Sequence, residues 1–96
     1  SQKLEMTVNT SRIITLEHSV PRMLVNNTEV VRATPLSPNQ VQLSALRTGA
    51  TQVNFWDENE KVYTVDVLVQ ADVGDLQRVL EAEFPEASLQ LRPTNT

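Results

Sequence analysis

Between residues 41 and 69 the side chains alternate apolar and polar in three successive stretches. Val41, Leu43 and Ala45 alternate with Gln42 and Ser44; Val53 and Phe55 with Gln52 and Asn54; Tyr63, Val65, Val67 and Val69 with Thr64 and Asp66. A period of two belongs to the β-strand, whose successive side chains leave opposite faces. A helix laid over the same residues would scatter its apolar atoms around the axis. Two polar breaks, Arg47-Thr48-Gly49-Ala50-Thr51 and Asp57-Glu58-Asn59-Glu60, read as turns between the strands. The stretch therefore predicts an antiparallel sheet with one face in a core.

The preceding residues continue the pattern. Leu4, Met6 and Val8 alternate with charged and polar neighbours, Arg12-Ile13-Ile14-Thr15-Leu16 is β-branched, and residues 22–25 and 30–34 are two further short strands. Asn26-Asn27-Thr28 is a turn, because asparagine tolerates left-handed backbone and its amide closes an Asx-turn. Leu36-Ser37-Pro38-Asn39 closes the strand before the central stretch. Turn signals at intervals of about 8–12 residues are those of a β-sandwich or barrel. After Gln70 the period changes. Asp72 and Asp75 suit the cap and first turn of a helix, Val73, Leu76, Val79, Leu80 and Phe84 make one apolar stripe, and Pro85 ends it. Residues 88–92 alternate once more as a short last strand. The expected architecture is mainly β, sandwich-like with Ig-like character, with one C-terminal amphipathic helix and that strand. The expected division is a β domain over 1–70 and a helix–strand segment over 71–96. That segment either packs on the β domain or opens a following module.

Chemistry finds little to work with. The 96 residues carry a net charge of −4 and no cysteine, which removes thiolate ligands and disulfides and leaves the redox compartment open. Lysines and arginines are scattered, so no phosphate-neutralising surface for nucleic acid is expected. The longest apolar runs are three residues, far below the ~20 that cross a bilayer as a helix. Ser1 in place of an initiator Met predicts a processed or excised piece. The single histidine, His18, has Glu17 and Ser19 beside it, and neighbours in a strand point apart, so no triad forms. Asp57-Glu58-Asn59-Glu60 reads as a hairpin loop before it reads as a cation site. Gly49 and Gly74 are the only glycines, too few for a phosphate loop, and Gly49 is expected at positive φ. No enzyme, metal or cofactor is expected. Asn9 and Asn26 fit the short glycosylation pattern, which arises readily by chance in such turns. Trp56 and Leu68 lie on the polar side of their strands and need a cover. The helix or a loop would supply it, or a partner would, and these two are the candidate partner-surface residues.

Several of these segments together resemble a known family. Arg12-Ile13-Ile14-Thr15-Leu16, Val20-Pro21-Arg22-Met23-Leu24-Val25, Val30-Val31, Leu36-Ser37-Pro38-Asn39, Gly49-Ala50-Thr51 and Phe55-Trp56-Asp57 resemble the N-terminal domain of secretins that serve Tad/Flp-type pili and related type II and III secretion systems. The likeness spans about residues 4–69. Departures fall at turns: Asn26-Asn27 where relatives often have glycine and an acidic residue, Ala45 for a second glycine, and Thr48 for proline. Residues 71–92 resemble the opening of the small αβ module, of BON or secretin-repeat type, that commonly follows. The resemblance implies a non-enzymatic periplasmic domain of an outer-membrane channel for pilus assembly or protein secretion. Its implied partners are neighbouring copies in a ring, and the inner-membrane platform or the pilus or secreted protein, without membrane contact by this part. The alternative from residue patterning is an Ig-like adhesion or spacer module of a bacterial surface protein.

Overall fold

The computed structural model describes residues 2–83, the side chain of Asp75 excepted. Seven strands precede one helix: β1 (Gln2–Thr7), β2 (Ser11–Thr15), β3 (Arg22–Val25), β4 (Val31–Ser37), β5 (Gln40–Ala45), β6 (Gly49–Trp56), β7 (Val62–Gln70) and α1 (Val73–Glu83). A four-stranded sheet has the order β1-β7-β6-β3 and a three-stranded sheet the order β2-β5-β4. Every neighbouring pair is antiparallel except β1 and β7, which run parallel with Gln2 beside Val65 and Thr7 beside Gln70. The mainly β architecture with one late helix agrees with the sequence reading. The expected strand over 88–92, with Phe84 and Pro85, lies outside the described residues.

The alternation explains the core. Met6, Val53, Phe55, Val67 and Val69 from the larger sheet and Val31, Val41, Leu43 and Ala45 from the smaller one form a single buried cluster. Their polar alternates stand on the outer faces. Leu43, Phe55, Val53 and Val31 are wholly buried; at ~1.5–3 kcal/mol for each such side chain, this layer is the main favourable term in folding.

Two boundaries differ from expectation, each for a local reason. Gly49-Ala50-Thr51 belongs to β6 and not to the turn, which is confined to residues 46–48. Gly49 has φ +148 as anticipated, and a Cβ there would sit 3.1 Å from Val30 Cγ2. The buried Thr51 accepts the Asn27 amide on Oγ1 at 2.9 Å, anchoring the β3–β4 turn against β6. In that turn Asn27 Oδ1 accepts the Glu29 N–H at 3.0 Å, the expected Asx-turn, but left-handed backbone falls elsewhere, at Asn9 and Glu60. Leu36 and Ser37 stay in β4, with a register shift between Pro35 and Ser37. An edge strand accommodates that proline, which has no N–H, because a position turned away from the neighbouring strand has no ladder bond to lose.

Asp57 is the keystone of the last hairpin. It is 4% exposed, and its Oδ1 accepts the N–H groups of Asn59 and Lys61, both at 2.9 Å. The backbone closes around it through Asp57 N to Lys61 O, leaving a three-residue loop, Glu58-Asn59-Glu60, whose last member has φ 62. This is a type I turn followed by a left-handed residue, the usual three-residue hairpin.

Candidate functional site

The outer face of the larger sheet is where the sequence placed its candidates. Register sets Trp56 beside Val62 and Arg22, and Ala50 beside Leu68. Trp56 and Leu68 therefore share a face but stand at opposite ends of it: six residues of β7 separate Val62 from Leu68, ~20 Å at the strand rise. Polar cross-strand pairs fill the middle. Gln52 Nε2 donates to Asp66 Oδ1 at 2.9 Å and Thr64 Oγ1 to Asn54 Oδ1 at 2.8 Å. The face carries two separate apolar spots rather than one patch.

At one end the cover over Trp56 comes from its own sheet. The Arg22 guanidinium lies 4.4 Å from the centre of the indole ring, a cation–π stack worth ~0.5–1 kcal/mol at an exposed site. Leu24 and Val62 flank it and are about half exposed, at 54% and 49%. Both oppose core residues of their strands and could have been found by the parity that found Trp56; Arg22 could not, because its place depends on the β3–β6 register. At the other end half-buried Leu68 floors an open depression with Ala50, rimmed by Lys3, Glu5, Gln52 and Asp66.

A second concavity opens between the sheets on the β1 and β2 side. Leu4, Ile14, Leu16, Phe55 and Tyr63 line it, and exposed Glu17 and His18 stand at its margin. Among the described residues no three His, Asp or Glu side chains gather in a way that would hold a metal ion. No described helix is long and apolar enough to cross a membrane.

Among the described residues the helix is α1, Val73–Glu83. Its N-terminus follows the sequence reading, with Leu76 N bonded to Asp72 O, yet Leu76 and Val79 on its stripe are 46% and 53% exposed.

Two sheets closed on an apolar core, with two small apolar spots on an outer face, define a β-sandwich-like domain. The family of the pilus formation protein N-terminal region, of type II and type III secretion systems, matches residues 1–70, and the chain belongs to it. The match ends with β7 at Gln70. Among curated proteins none matches the chain.

Proposed function

We propose that this domain is a periplasmic building block of an outer-membrane secretin channel for pilus assembly or protein secretion, acting through domain contacts in a ring without making or breaking bonds. The observation that carries the reading is family membership over all seven strands. The partners are neighbouring copies of the same chain, together with the inner-membrane assembly platform or the pilus or secreted protein. Residues 71–96 are read as the start of the next module; Leu76 and Val79 of α1, about half exposed, support this, since side chains left in water gain little from the β domain. The test is electron microscopy of the full-length protein extracted from membranes. Rings that survive detergent are expected, and a monomer would sink the reading. An adhesion or spacer module would instead continue into further β-sandwiches, which the flanking sequence decides.

A further inference from the structure

The two sheets treat their edges differently. In the smaller sheet β4 carries Pro35 and a register shift, and β2 sets Arg12 at the core-facing position beside Leu43. Proline, bulges and inward-pointing charges are the devices that stop a sheet from growing. In the larger sheet β3 and β1 have neither a proline nor a register shift. Their core-facing residues are Met23 and Val25, and Leu4 and Met6.

These two edges also fit each other. β1 is parallel to β7, β7 antiparallel to β6, and β6 antiparallel to β3, so β3 and β1 point the same way. A second copy moved sideways, without inversion, brings its β1 beside β3 in parallel and keeps outer face with outer face. Neighbouring residues must then share a face. One such register places Arg22 beside the neighbouring copy's Glu5, Leu24 beside Thr7, and Met23 beside Met6. A slip of two residues places Arg22 beside Lys3 and Leu24 beside Glu5, a like-charge pair and an apolar–charged pair that both oppose it. Arg22 lies 4.4 Å over the Trp56 ring, and a guanidinium on an aromatic face still has N–H donors for a carboxylate.

We propose that β3 of one copy pairs in parallel with β1 of the next, Arg22 beside Glu5, so that the larger sheet continues from copy to copy around the ring. The proposal rests on the ring reading above and names its contact. Such a joint uses a different surface on each side, the head-to-tail arrangement that closes into a ring. Pairing over four residues buries far less than the ~1,000 Å² of a stable interface; its strength comes from repetition and from the other domains of each copy.

The test is a disulfide cross-link in the full-length protein in membranes, with Leu24→Cys and Thr7→Cys combined. This region has no native cysteine. Oxidation is expected to give a ladder of multimers from the double variant and none from either single variant. Arg22→Glu and Glu5→Arg are each expected to lower the cross-linked fraction of that variant several-fold, and together to restore it. Rings without a ladder overturn the edge pairing and leave the ring reading standing. A dimer from Leu24→Cys alone overturns it in favour of a symmetric β3 contact. Absence of rings removes both.

Discussion

Asp57 shows how one carboxylate sets the geometry of a hairpin. It is buried, and it satisfies two backbone N–H groups of a loop that has no other partner for them. Asp57→Ala is expected to lower stability by about 3 kcal/mol, because both donors lose a charged acceptor; urea denaturation measures it. Glu60 holds left-handed backbone at φ 62 without being a glycine. Glu60→Gly is therefore expected to raise stability by up to ~1 kcal/mol in the same assay. Gly49→Ala goes the other way, by about 1–3 kcal/mol, since both φ +148 and the 3.1 Å approach to Val30 oppose a Cβ. The sequence announced Gly49 as a special position. Nothing in it announced Glu60, because left-handed strain on a glutamate is visible only in the backbone.

At the scale of elements, the strands were legible and their partners were not. Alternation shows in the sequence because burial on one face demands it, and together with β-branched runs and turn residues it placed all seven strands to within a few residues. Boundaries slipped where turn residues stayed in strands, at Leu36-Ser37 and at Gly49-Ala50-Thr51. Pairing is set by register between distant residues, and so the stack of Arg22 on Trp56 and the ~20 Å between Trp56 and Leu68 emerged only with the fold. The helix poses a separate question of attachment. With Leu76 and Val79 half in water, Leu76→Ser and Val79→Ser are each expected to change stability by no more than about 0.5 kcal/mol. Phe55→Ala, in the centre of the sandwich, is expected to cost about 3–5 kcal/mol. A large loss at Leu76 would mean that the helix belongs to the β domain's own core.

For the whole molecule, the family likeness was carried by turns and strand ends such as Leu36-Ser37-Pro38-Asn39 and Gly49-Ala50-Thr51, and the match to residues 1–70 covers the same ground. A contact surface of the kind proposed is less legible than a fold, because edges and small apolar spots leave no spacing rule in a sequence. This 96-residue chain is expected to sediment as a monomer or weak oligomer at micromolar concentration, since a ring gathers its strength from many domains. A tight, discrete ring formed by the chain alone in analytical ultracentrifugation would overturn that.

The parallel pairing of β1 with β7 joins the first strand of the domain to the last. Tension entering at Gln2 and leaving at Gln70 would pull the two strands lengthwise past each other, from opposite ends of one ladder. Loaded in that direction, the ladder's bonds share the force and must fail together; an antiparallel terminal hairpin would open one bond at a time. The domain is thus arranged as a mechanical clasp in the line of the chain. Single-molecule stretching from its two ends should show a higher rupture force than stretching across the β6–β7 hairpin.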